Sequence, residues 1–222
     1  MSSADTSDDA GQFSTTKFAI LWAFLVVLGY CAMVSYSFDG LVGPAVSVRS
    51  PAATNCSALV SCRPNELTLI TFLHPQCPCS TATVSELTTL LSKKNLASNL
   101  KAYAVISRPS SCSDDFVQGA IYDSVASIKG VEVVIDRGDL ESQRFGAKVS
   151  GQTLLFDGQG KCLFSGGITS ARGEVGANAG ALALGQQVIG NHAEITTANT
   201  NTINTTNITA TPVFGCSLES SH

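Results

Sequence analysis

LTLITFL, residues 67–73, runs straight into HPQCPC, residues 74–79, and from there into STATVSELTTLL, residues 80–91. The first segment is short, apolar and β-branched, which is strand composition, and it stops at His74-Pro75. The last carries Val84, Leu87 and Leu91 at helical spacing, with Glu86 on another face. Pro78 suits the first position of that helix, where its missing N–H would have no intrahelical partner in any case. Cys77 is therefore the expected N-cap. A sulfur placed there faces the free amides of the first turn and the positive end of the helix dipole, so the thiolate is favoured over the thiol.

Further along, residues 101–107 (KAYAVIS) read as a strand, residues 114–128 as an amphipathic helix with Phe116, Ile121 and Val125 inward, and residues 131–136 (VEVVID) as a buried strand. Residues 138–145 suit a short helix. Residues 153–157 and 161–166 read as a hairpin across the Asp157-Gly158-Gln159-Gly160 turn, and residues 172–189 as a closing helix that Gly173, Gly176 and Gly180 let pack closely on the sheet. Early alternation of strand and helix demands parallel crossovers, while the last two strands pair antiparallel. The expected class is α/β, a thioredoxin-like three-layer sandwich with a mixed sheet over residues 65–190, preceded by one N-terminal transmembrane helix. Around this domain lie a cytoplasmic N-terminal tail (1–17), an apolar anchor (18–36), a Ser/Ala/Pro/Gly-rich tether (37–64), an Asn/Thr-rich spacer (191–211) and a C-terminal tail (212–222) that carries Cys216.

The 222 residues carry 13 Lys and Arg against 17 Asp and Glu, a net charge of −4, which argues against a nucleic-acid partner. At 44% apolar and 14% charged the composition is that of a folded chain. FAILWAFLVVLGYCAMVSY, residues 18–36, has no charge and approaches the ~20 residues that cross a hydrocarbon layer. It reads as a single anchor. The alternative is a cleaved signal peptide, whose apolar core usually runs only about 7–15 residues, and no A-x-A site follows this one. Lys17 and the N-terminal amine on the near side place the N-terminus inside. The expected location is thus the inner (cytoplasmic) membrane, single-pass, with the soluble domain facing the periplasm or exterior, where disulfides persist.

In that compartment Cys77 and Cys79 read as a redox pair: Cys77 attacks a disulfide, Cys79 resolves the mixed disulfide, and Pro78 with the helix N-terminus tunes the thiolate. His74 raises the local polarity or takes a proton. C-x-C closes a smaller ring than C-x-x-C, which strains the bond and makes it easier to reduce. The expected partners are protein or small-molecule thiols and disulfides, with no cofactor. The alternative is a copper-binding chaperone or sensor of the Sco type, in which His74, Cys77 and Cys79 supply one imidazole and two thiolates and Cys216 is the candidate fourth ligand. A peroxiredoxin-like enzyme ranks last because the T-x-x-C arrangement is absent. Among the remaining cysteines, Cys56 and Cys62 are expected to form a structural disulfide in the tether, Cys162 to lie in the core and Cys31 to fill the apolar helix. Cys112 sits on a loop. Cys216 either folds back over Cys77 as a third thiol or pairs elsewhere, because connectivity is not readable from spacing.

TFLHPQCPCSTATVSEL (71–87), RFGAKVSGQTLLFDGQGKCLFSGGITSARG (144–173) and TPVFGC (211–216) resemble, in matching order, the RedB-like group of membrane-anchored thioredoxin-fold proteins. The resemblance covers roughly residues 65–216. It implies a thioredoxin-type domain facing the periplasm and doing thiol–disulfide chemistry, with no defined substrate. By the strand alignment, Cys77 stands where thioredoxins keep the attacking cysteine, Ser80 at the usual second position, and Gly151 near the place of the proline that faces the active site. Ser150 and Gly151 are therefore the expected substrate-binding backbone, with no Cβ on Gly151 to obstruct a bound peptide.

Overall fold

A computed structural model describes residues 8–38, 57, 59–93, 100–196 and 209–218. The chain divides into two units, within residues 1–39 and 40–222. The first is a single helix, α1 (Asp8–Phe38), whose section Thr15–Phe38 is long and apolar enough to cross a membrane and has none of its window buried in the protein. At 1.5 Å per residue those 24 residues span about 36 Å, more than a hydrocarbon layer. The expected anchor, 18–36, lies inside this section.

The second unit is built around β1 (Leu67–Leu73), all seven residues of which are buried. A strand covered on both faces reads as a continuous apolar run, which is why its sequence does not alternate. Parallel to it lies β2 (Leu100–Arg108), reached through α2 (Pro78–Leu91), and parallel to β2 lies β3 (Val131–Arg137), reached through α3 (Ala120–Ala126). On the other side β4 (Thr153–Phe156) pairs antiparallel with β1 and with β5 (Cys162–Gly166), and β6 (Thr209–Ala210) pairs parallel with β5. The order is β3-β2-β1-β4-β5-β6. One core, with Leu69, Val84, Leu87, Ala104, Ile121, Phe164, Leu184 and Val188, packs α2, α3 and α5 (Ala179–Thr196) against one face. The other, with Ile70, Phe72, Tyr103, Phe145, Phe156 and Leu218, packs α4 (Leu140–Phe145) and the chain's outlying segments against the opposite face. The two-residue side-chain period of β1 separates Leu69 from Ile70 in this way.

Several expectations are corrected. Residues 114–128 do not form one helix: a 3-10 turn (Asp114–Val117) is split from α3 by Gly119, whose φ of +137° breaks the helical path. The strand expected to be buried at 131–136 is a half-exposed sheet edge. The closing helix starts at Ala179 rather than 172, because Gly173 (φ +72°) and Gly176 (φ +132°) are turn residues and Asn178 Oδ1 accepts the Ala181 N–H at 2.7 Å as a cap. Of the three glycines expected to pack that helix on the sheet, Gly180 does so, since a Cβ there would meet the Gly167 carbonyl. Finally, the spacer 191–211 is not uniformly outside the fold: α5 runs to Thr196 and β6 adds to the sheet, while 197–208 lie outside the described residues. The tether's end is likewise packed, with Val60 fully buried and Ser61 hydrogen-bonded to the Tyr103 hydroxyl.

Candidate active site

β1, an interior strand, delivers the HPQCPC turn at its C-terminal end. Cys77 has the extended backbone of an N-cap (φ −90°, ψ 120°), and Pro78 opens α2. Ser80, in the first turn of α2, is fully buried and serves as a tie: its hydroxyl donates to the His74 carbonyl at 2.8 Å and lies 2.8 Å from Ser150 Oγ. Ser150 Oγ in turn accepts the His74 N–H at 3.0 Å. The loop at 150–152 is pinned across the end of β1, with the Gly151 N–H donating to Phe72 O at 2.7 Å and the Phe72 N–H donating to Gln152 O at 2.9 Å. Gly151 is required there twice over, by a φ of +92° and because a Cβ would stand 2.9 Å from Thr83 Oγ1.

Residues 211–218 run back over this turn as a strap. It passes so close to the end of β5 that a Cβ on Gly167 would stand 2.5 Å from Pro212 O. Arg172 Nη1 donates to Gly215 O at 2.6 Å, and a Cβ on Gly215 would land on the Ser150 carbonyl. The Ser150 N–H donates to Cys216 O at 2.8 Å, Val149 and Ser217 form an antiparallel bridge, and the Leu218 N–H donates to Lys148 O at 2.8 Å. Val213 and Leu218 are both buried, one on each side of Cys216. The result is a cluster of three free thiols, Cys77, Cys79 and Cys216, whose sulfurs all lie within 4.8 Å of one another.

Cys77 is only 2% exposed, whereas Cys79 and Cys216 are partly exposed. Burial opposes ionisation of Cys77, but the Cys216 thiol and the backbone N–H groups of Cys216, Cys79 and Ser80 outweigh it and hold its pKa below the ordinary thiol value. No side-chain cap hydrogen bond forms at Cys77, and the Ser80 N–H donates to the Cys77 carbonyl at 2.9 Å. Cys79 moves the other way, raised by burial and by the charge on Cys77, with Arg172 offsetting part of the rise. Burial and the same neighbour push Cys216 up to about 12. The sulfur most disposed to ionise is thus flanked by two that hold their protons more tightly. Alkylation by iodoacetamide, followed residue by residue by mass spectrometry, is expected to show a lower pH midpoint for Cys77 than for Cys79 or Cys216. A midpoint for Cys77 at or above that of Cys79 contradicts the electrostatics.

The structure brings together Cys77, Pro78, Cys79, Ser150, Gly151 and Cys216, and it leaves His74 outside the sulfur cluster. His74 Nδ1 accepts the Gln76 N–H at 3.2 Å and its ring meets Phe116 edge-on at 5.7 Å. Burial lowers its pKa, with Asp139 partly opposing. The Ser150 N–H, expected to meet a substrate, is taken by Cys216. Arg172 was not read as functional; its only signal in the sequence is its place in the SARG segment at the end of the resembling stretch. Glu86, read as facing away, is buried and accepts the Gly176 N–H at 2.6 Å. Elsewhere Cys62 is disulfide-bonded and Cys56 lies outside the described residues. Cys162 is buried in β5, and burial pushes its pKa up to about 12. Cys112 is free on its loop and Cys31 is exposed on α1.

No family profile and no curated protein matches the chain. Among solved structures it is similar to an uncharacterized conserved protein from Geobacillus kaustophilus, at 15% identity and a TM-score of 0.50, over 77% of this chain and 89% of that one. A hypothetical protein from Sinorhizobium meliloti is similar at 16% identity and TM-score 0.49, over 75% and 93%. A secreted Mycobacterium tuberculosis disulfide oxidoreductase homologous to E. coli DsbE is similar at 13% identity and TM-score 0.40, over 62% and 93%. Identities this low speak to fold alone. With its β3-β2-β1-β4-β5-β6 sheet and a cysteine turn at the start of α2, the chain has a thioredoxin-like α/β fold with a mixed sheet.

Proposed function

We propose that the protein is a membrane-anchored, extracytoplasmic thiol–disulfide oxidoreductase of the RedB-like kind that its motifs resemble. Cys77 is the attacking sulfur. The observation that carries this reading is the N-cap position of Cys77, where three backbone N–H groups and a neighbouring thiol favour its thiolate while two further thiols lie within 4.8 Å. The thiolate attacks an external disulfide, a mixed disulfide forms, and a second thiol of the cluster closes on Cys77 to release the product. In the sequence that second thiol is Cys79. The substrate is a protein or small-molecule disulfide, and α1, with the apolar length to cross a bilayer, supports an anchor that holds the domain beside the membrane. Pre-reduced full-length chain in detergent, mixed with oxidised glutathione, is expected to release two more glutathione thiols per chain than the Cys77→Ser variant. Equal release by that variant would remove Cys77 from the mechanism.

The same three sulfurs favour a second reading, a soft-metal chaperone or sensor. Three thiolates suit Cu(I), and Cys216 takes the place that the sequence offered to His74. Metal analysis after purification under reducing conditions separates the two. One copper per chain, lost in the Cys77→Ser and Cys79→Ser variants, favours binding; a metal-free, titratable dithiol favours redox exchange.

A further inference from the structure

We infer that Cys216, not Cys79, is the thiol that resolves the mixed disulfide on Cys77, and that the strap carrying it is a built-in peptide substrate seated where an external one must dock. The inference rests on the oxidoreductase reading and goes beyond it by naming the partner sulfur and the gate in front of it.

The first argument is the manner in which the strap is held. Backbone hydrogen bonds from Ser150 to Cys216 and from Leu218 to Lys148, with the Val149–Ser217 bridge between them, are those of an extended peptide laid antiparallel along a backbone edge. Proteins recognise extended peptides by this kind of strand addition, in which main-chain bonds supply affinity and the alternate side chain is presented inward. Here the side chain presented to Cys77 is a cysteine of the same chain.

The second argument is that the seat is built for this segment. Gly215 is the residue that can pass over the Ser150 carbonyl, Arg172 holds its carbonyl from the other side, and the buried side chains of Val213 and Leu218 fix the register of Cys216 between them. Anchoring on both sides removes most of the freedom that closing a long loop would otherwise cost, so the Cys216 thiol is presented to Cys77 at high effective concentration. Cys79 is placed differently. It belongs to the first turn of α2, separated from Cys77 only by Pro78, whose ring fixes φ. A C-x-C bond must be closed against that rigid turn, whereas Cys216 stands on irregular chain facing the same sulfur.

The third argument is access. With Cys77 2% exposed beneath the strap, an external disulfide reaches it only by displacing the strap from the 148–150 edge. The Cys77 thiolate then attacks one sulfur of R–S–S–R′; that S–S bond breaks, and R′–S⁻ leaves and takes a proton from solvent. The strap reseats, the Cys216 thiol gives up its proton, and its thiolate attacks Cys77 Sγ. The Cys77–S–R bond breaks, R–S⁻ leaves with that proton, and a Cys77–Cys216 disulfide remains. Two electrons have passed from the two cysteines to the external disulfide, giving R–SH and R′–SH. A disulfide on an extended, flexible peptide, able to compete for the 148–150 edge, is the substrate class that this gate admits.

The test uses full-length chain in detergent, reduced, desalted, oxidised with excess oxidised glutathione, blocked with N-ethylmaleimide, digested without reductant and mapped by mass spectrometry. The wild-type chain is expected to yield the peptide bearing Cys77 and Cys79 joined to the peptide bearing Cys216, with one maleimide on the former. The link should persist in Cys79→Ser and be lost in Cys216→Ser, which should instead retain glutathione on Cys77. A Cys77–Cys79 bond with Cys216 alkylated overturns this inference while leaving the oxidoreductase reading intact. If no disulfide forms and no glutathione is released, both fall. The wild-type map decides the matter even where a variant fails to fold.

Discussion

Gly215→Ala is expected to uncover Cys77. The added Cβ lands on the Ser150 carbonyl, 2.9 Å from its carbon and 3.2 Å from Val149 Cγ1, and the first of these neighbours is backbone that is itself pinned to Cys216. The strap cannot seat without moving, so the bonds from Arg172 to Gly215 and from Ser150 to Cys216 are lost together. A hydrogen bond from a charged group contributes about 1.5–3 kcal/mol, so losing the Arg172 bond alone raises the population of the open strap roughly 10–150-fold. Alkylation of a sealed thiol follows that population when opening is fast, and the reaction of Cys77 with iodoacetamide at neutral pH should accelerate by the same factor. Gly185→Ala is the control. A Cβ there meets nothing within 4 Å on the body of α5, so helix propensity improves and Cys77 reactivity should not change. Unchanged Cys77 reactivity in Gly215→Ala would mean that the strap does not gate the sulfur.

The parts of this site that were legible in the sequence are those set by local rules. β1 is readable because burial on both faces leaves only apolar and β-branched residues, and the start of α2 because Pro78 tolerates only a first-turn position within a helix. Both facts together place Cys77 at an N-cap. What resisted reading is held by distant backbone. Residues 211–218 have neither helical nor strand period; they are ordered by close approach to Gly167 and Ser150 and by Arg172, 43 positions from its partner Gly215. A glycine needed for such an approach looks in sequence like a glycine needed for a turn. That ambiguity also misplaced the last helix, where Gly173 and Gly176 are turn residues and only Gly180 packs against the sheet. Glu86 was misassigned for a related reason. The amide that takes its carboxylate, on Gly176, belongs to a turn 90 positions away that the helical period of α2 says nothing about.

Phe145→Ala is expected to bring the domain close to unfolding. Phe145 is fully buried at the end of α4, with its ring between Phe72 at 6.0 Å and Phe156 at 5.9 Å. Truncating a buried phenylalanine costs about 3–5 kcal/mol, out of the roughly 5–15 kcal/mol that separates a folded domain from its unfolded state. The spread in that cost depends on how far the surroundings collapse into the cavity, and here they are held back. The Asp136 carboxylate, itself fully buried, accepts the Glu141 and Ser142 N–H groups at 2.8 Å each and the Ser142 hydroxyl at 2.7 Å. This fixes the start of α4 to the end of β3, and Gly146 in the left-handed region closes its other end. A helix tied at both ends cannot slide inward to fill the void, which places the loss toward the upper part of the range. For a domain of this size each kcal/mol is about 2–4 °C in Tm, so calorimetry should record a fall of roughly 6–20 °C. Phe145→Leu, which keeps most of the volume, should lose much less. The consequence reaches the sulfurs, because Phe72 accepts the Gly151 N–H and stands two residues before His74 on the strand that leads to the cysteine turn. In Phe145→Ala the reaction of Cys77 with iodoacetamide should therefore rise well below the melting transition; a fall in Tm of only a degree or two would show that the aromatic cluster is not what supports that end of β1.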